Sequence, residues 1–151
     1  MGDSLDVAYN LLMKSAPFFV VVFLALLVCP PLAAADQDDP ALNALFDRLY
    51  QTADNLEAQV IQAEIQRVWN TSGSATVDLL LERGTFSMKN GDYFAAERAL
   101  NIVVNRQPNF AEGWNRRATL YYVMGRLEES VADVERTLAL APRHFGALSG
   151  L

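Results

Sequence analysis

Four pairs of residues with matching physical character stand 34 positions apart in this chain: Gly91 and Gly125, Pro108 and Pro142, Gly84 and Ala118, Ala96 and Ser130. The glycines fall where first helices close. The prolines follow second helices, and the small residues fall mid-helix. A fixed period of this length marks stacked helix–turn–helix units, each burying its apolar face only against a neighbour. The period restricts the chain to an all-α repeat architecture, and the local pattern has to agree with it.

It does so along most of the length. Asp39-Pro40 opens a helix with a capping carboxylate and a proline at the first helical position. Leu42, Leu45, Phe46 and Leu49 form its apolar stripe, which stops near Thr52. Asp54-Asn55 starts a second helix with Ala58, Ile61, Ile65, Val68 and Trp69 on one side. Asn70 to Ser74 reads as a loop. Val77 to Lys89 is a third helix, closed by Asn90-Gly91, because glycine accepts the left-handed conformation that satisfies the last carbonyls. Asp92 caps a fourth helix that runs to Arg106 and breaks at Gln107-Pro108-Asn109. Asn109 with Glu112 three residues on has the spacing of a capping box for a fifth helix, ended by Gly125. Leu127 to Leu140 is the sixth. No segment shows sustained period-two alternation, so no strand is expected.

Two stretches in this frame, 77–110 and 111–144, resemble the tetratricopeptide repeat family. The second carries Trp114, Ala118, Tyr121, Gly125 and Pro142 at the family's places. The first carries Gly84, Gly91, Tyr93, Ala96 and Pro108, with Leu80 in the Trp place and Ser87 in the Tyr place. Val103 and Thr137 stand where the family has a late alanine. The resemblance implies antiparallel helix pairs stacked as a short right-handed α-solenoid. It also implies a concave groove lined by first helices that receives an extended peptide or a helix. The groove places fall on Asp78, Leu81, Thr85 and Met88, then on Glu112, Asn115, Arg116, Thr119 and Tyr122. Of the Lys, Asn and Arg set with which some members grip a C-terminal carboxylate, only Asn115 and Arg116 have counterparts. Core packing competes with ligand contact for Met88 and Tyr122, and pairing with Glu112 within the helix competes for Arg116.

In the same frame, small side chains at Gly84 and Ala118 let paired helices approach, while Phe110, Trp114 and Tyr121 fill the space between repeats. Residues 36–74 make an N-terminal hairpin, either a degenerate repeat or a cap. Residues 145–151 begin a third helix pair, with Leu148 in the Trp place.

The N-terminus reads as an address, residues 1–35, and adds a signal helix to the fold. Phe18 to Val28 is uncharged and apolar, too short for the roughly 20 residues of a spanning helix and suited to a signal-peptide core. Ala33-Ala34-Ala35 supplies a cleavage pattern. The first twelve residues hold Asp3 and Asp6 and no cation, so Met13, followed by Lys14, is the expected start. Val28 is too bulky for an acylation box before Cys29. An uncleaved anchor is the alternative, and only then is a membrane a partner. Export is expected, most simply to a periplasm.

Eighteen acidic against twelve basic residues, the basic ones scattered, exclude a phosphate-binding surface and with it nucleic acid. One cysteine and one histidine supply no metal site, and no phosphate loop or cofactor motif is present. His144 reads as a helix-start or surface residue, and Glu128, Glu129 and Asp133 as a solvated face. The expected function is therefore non-catalytic: a scaffold that binds a protein or peptide. It is either a soluble exported adaptor or a membrane-retained part of an envelope assembly.

Overall fold

A computed structural model describes residues 40–150. The signal segment, Met13, Cys29 and the cap Asp39 lie outside the described residues. Seven helices follow in order: α1 Pro40–Gln51, α2 Asn55–Trp69, α3 Ala75–Lys89, α4 Tyr93–Arg106, α5 Ala111–Val123, α6 Leu127–Leu140 and α7 Phe145–Leu148. Among the described residues there is no strand. The helices pack in antiparallel sequence pairs, α1 with α2, α3 with α4 and α5 with α6, and α5 also packs on α4.

Local chemistry explains the boundaries. Asp54 and Asp92 both accept N-cap bonds, from the Leu56 N–H at 2.7 Å and the Ala95 N–H at 3.0 Å. Gly91 and Gly125 adopt φ of +77° and +74°. Around each, the same pair of bonds forms: Gly91 N–H to Met88 carbonyl and Asp92 N–H to Ser87 carbonyl, then Gly125 to Tyr122 and Arg126 to Tyr121. These are two Schellman motifs, 34 residues apart, and they set the turn inside each helix pair. The expected capping box at Asn109 does not form. Phe110 is the N-cap of α5 and its phenyl ring has no acceptor to offer, while Glu112 turns inward.

The main core joins α3, α4 and α5 through Val77, Leu81, Ala96, Leu100, Val103, Phe110 and Leu120. Gly84 lets α3 lie against α4. A Cβ there would stand 2.8 Å from Leu100 Cγ and 2.9 Å from Leu100 Cδ2. Gly113 does the same between α5 and α4, where a Cβ would stand 2.7 Å from Val103 Cγ1. Ala118, Val134 and Ala147 carry the packing on to α6 and α7, and Ser130 Oγ donates to the Ala118 carbonyl across the pair at 2.9 Å.

Two side-chain expectations need correction. Trp114 does not fill the space between repeats. It is half-buried, its indole N–H bonds the Pro108 carbonyl at 3.0 Å, and the Arg117 and Arg136 guanidinium groups lie over its ring. Asp133 is not part of a solvated face. It is buried, and its carboxylate takes Arg117 Nε and Nη2 at 2.7 and 2.9 Å. A bidentate pair of this kind explains how a carboxylate can sit inside α6. Glu128 and Glu129 are exposed as expected, and Glu129 binds Arg126.

Replacing Gly84 by Leu should destabilise the protein by about 1–3 kcal/mol, because the helix pair cannot admit the added atoms without strain. Trp114→Ala should cost less than the roughly 3–5 kcal/mol of a fully buried tryptophan. Urea denaturation checks both: a midpoint unchanged by Gly84→Leu would count against the close α3–α4 approach, and a Trp114→Ala loss at the full-burial level would count against the half-buried indole.

Candidate protein-binding site

The expected groove residues divide into three groups. Asp78, Leu81, Thr85 and Arg116 come together around one cleft of about 780 Å³, with Asn70, Leu79, Glu82, Arg83, Phe86 and Lys89. Asn115 is half-buried, and Thr119 and Tyr122 are exposed along α5. Met88 packs against the main core, and Leu81, though it touches the cleft, is 97% withdrawn from solvent at 3% exposure. Glu112 is fully inside. Leu81, Met88 and Glu112 therefore hold the scaffold rather than offer a contact surface. Their positions on a first helix face the interior because α3 and α5 each have neighbours on more than one side.

Much of the remaining polarity is spent within the fold. Asp78 accepts the Ser72 N–H at 2.7 Å and so anchors the loop before α3. Thr85 and Thr119 bond back to carbonyls four residues earlier. Within α6, Asp133 holds the Arg117 guanidinium in its charged form. Burial pushes the Tyr121 phenol up, and the Arg117 charge beside it opposes that shift.

Sequence reasoning missed a buried polar knot at one end of this surface. Glu112 Oε1 lies 2.6 Å from Arg116 Nε, an electrostatic contact in which the N–H is not aimed at the oxygen. Glu112 Oε2 meets His144 Nε2 at 2.9 Å and accepts Asn115 Nδ2 at 3.0 Å. His144 Nδ1 accepts the Ala147 N–H at 3.2 Å and caps α7. With Nδ1 an acceptor, the ring proton of the neutral imidazole belongs on Nε2 and donates to Glu112. His144 is thus a helix-start residue, as expected, but it is completely buried rather than at the surface.

Trp69 closes the knot. Its ring stacks on His144 with centroids 4.0 Å apart and planes 16° from parallel, and Phe145 tilts against it at 4.8 Å. Arg116 Nη2 reaches Asn70 Oδ1 at 3.4 Å. Arg143 lies 4.3 Å from the Phe46 ring and donates to Asn43 at 2.6 Å. The α1–α2 hairpin, with its core of Leu42, Ile61, Ile65 and Trp69, is thereby tied to α5 and α7. A signal for this was present: His144 stands 34 residues after Phe110, which is itself buried in the main core.

No family model matches the chain, and no solved structure matches it. A TPR repeat-containing protein of Rhizobium etli is 41% identical over 118 residues, 78% of this chain. The chain belongs to the tetratricopeptide repeat family. It spans 58% of that relative's length. Tetratricopeptide repeat proteins are in general non-catalytic scaffolds that bind other proteins, and the paired-helix fold described here is of that kind. Among the described residues, no group of His, Cys, Asp and Glu is arranged to hold a metal ion. Among them, too, no helix is long and apolar enough to cross a membrane.

Removing the imidazole should free the hairpin. In a Trp114→Phe background, where Trp69 is the sole tryptophan, His144→Ala should shift the emission to longer wavelength as Trp69 meets water. An unchanged spectrum would show that the stack does not hold the hairpin in place.

Proposed function

We propose that this chain is an exported adaptor that holds a segment of another protein along the surface formed by α3 and α5. The observation that carries this reading is the cleft itself. Thr85 of α3 and Arg116 of α5 face one space of about 780 Å³, and Thr119 and Tyr122 extend the same surface, with Tyr122 66% exposed. Mixed apolar and polar lining of this sort suits a peptide, whose backbone needs hydrogen-bond partners and whose side chains need apolar area. An enzyme would need a poised nucleophile or acid–base pair, and the one His–Glu contact is shut inside the fold, away from any substrate.

Export rests on the sequence of the first 35 residues: a short apolar core, a proline break and a run of small residues. The partner is accordingly a protein of the same compartment. A membrane-retained structural component is the outcome to which the test gives its own signature.

A photo-crosslinking residue placed at Thr119 in cells should yield a discrete adduct, and one at exposed Asn105 on the outer side of α4 should not. The chain should leave the cells on osmotic shock, about 35 residues shorter than the full sequence. Retention with the membrane at full length would replace the adaptor reading by the structural one. Equal labelling at both positions would count against a groove partner.

A further inference from the structure

The 34-residue frame shows which surface of α3 lacks its neighbour. On α5, Gly113 and Leu120 pack against the preceding repeat, Gly113 within van der Waals reach of Val103 and Val104 of α4, and Leu120 fully buried in the core it shares with Val103. The same places on α3 are Leu79 and Phe86. They are 65% and 69% exposed. Arg117 also lies on this side of α5, where its Nη1 donates to Asn101 of α4 at 2.8 Å. Its counterpart on α3 is Arg83. Arg83 and Lys89 make no ion pair among the described residues, although they line the cleft together with Glu82 and with Asp78, whose carboxylate already accepts the Ser72 N–H. Among the described residues, half of an inter-repeat interface is thus built and left uncovered.

The chain's own preceding helix does not fit it. Moved back by 34, Val103 becomes Trp69 and Asn101 becomes Arg67. Stacked in register, α2 would set an indole against Leu79, where α4 sets a valine against glycine, and would place Arg67 against Arg83. Overlap and like-charge repulsion both oppose that arrangement. Trp69 is instead spent on His144. A second copy does not fit either. Its α6 carries Glu135 at the place of Asn101, yet the inter-repeat face of α6 is already covered by α7 through Ala147.

We propose that this face receives an acidic amphipathic helix from a partner protein, seated as the second helix of a preceding repeat. The α4–α5 contact defines its chemistry. It needs a small residue opposite Leu79, aliphatic side chains around Phe86, and a carboxylate opposite Arg83 with further acidic residues toward Lys89. Leu79, Arg83, Phe86 and Lys89 form the α3 side of the cleft used by the groove reading, so the proposal rests on that reading and names the element that fills this side, while Thr119 and Tyr122 continue the surface along α5.

The probe is a synthetic copy of α4, residues 92–107, carrying Asn101→Glu and Val103→Ala and stapled through its outward positions 98 and 102. A matched peptide carries Asn101→Lys. Fluorescence anisotropy with the full chain should show saturable binding of the acidic peptide, and about tenfold weaker binding of the lysine peptide. Arg83→Glu should weaken the acidic peptide by about the same factor and restore the lysine peptide. That exchange is not produced by misfolding, and circular dichroism of the variant checks its helices. Adduct formation at Thr119 should persist in Arg83→Glu, so failure here and failure of the groove reading give different results. Equal binding to the wild-type chain and Arg83→Glu would overturn the proposal. Self-association in sedimentation that Phe86→Asp abolishes would overturn it too, by making a second copy the occupant.

Discussion

The Glu112 carboxylate is the constraint around which the rest of the molecule is arranged. A fully buried carboxylate costs several kcal/mol unless charge and hydrogen bonds are returned to it. Arg116 on the same helix, Asn115 beside it and His144 from the start of α7 together do so. Each partner then fixes something else. His144 must sit at the head of α7 and point inward, which holds α7 on α6. Its exposed ring face would be an apolar surface in water, and Trp69 covers it. Covering it draws α2 across to the far end of the array, and the hairpin follows. The charge within α5 thus determines where α1 and α2 lie, although neither helix touches the carboxylate.

That arrangement also explains why the hairpin is not simply the first repeat of a stack. In a regular array each second helix lies against the first helix of the next pair, as α4 lies against α5. The close contact at Gly113 makes this possible. At α3 the corresponding residue is Leu79, and the approach would need a smaller side chain than Trp69 on the helix before it. The indole has a better position on His144, even though its N–H there finds no hydrogen-bond acceptor. Stacking area and the compensation of Glu112 outweigh that one missing bond.

The sequence made the helices legible because their punctuation is local. Two aspartate caps and two glycines at positive φ act within five residues of themselves, and the 34-residue frame multiplies the signal. The inward turn of Glu112 was not legible in the same way. Its spacing from Asn109 is that of a capping box, and only the tertiary partner at His144 decides against it. Position 144 held more information than its residue type. The frame places it on buried Phe110, just as it places Asp133 on buried Ala99. In a repeat protein the partner of a position in the neighbouring copy is a better guide to burial than the polarity of its own side chain. Where the two disagree, a buried polar contact should be sought. Both disagreements here resolved into ion pairs or hydrogen bonds of 2.6 to 2.9 Å. At two of the groove places the reverse holds. Leu81 and Met88 occupy groove places, but their apolar side chains are taken up by the core of α3, α4 and α5.

The same frame gives the two ends of the array different characters. At α6 the inter-repeat face is closed by α7, and α7 is locked by the hairpin. At α3 no described element covers the equivalent face, and Leu79 and Phe86 are exposed. An isolated apolar side chain at a surface means little. Two that coincide with the buried contacts of the next repeat, flanked by an arginine whose counterpart makes an inter-helix hydrogen bond, mean more. The hairpin that could have covered them carries the wrong bulk and the wrong charge for that task. A chain selected only for its own stability would gain from a smaller residue at 69 and an acceptor at 67, which would let α2 stack in register. Keeping Trp69 and Arg67 sends the hairpin elsewhere and leaves α3 available to another helix.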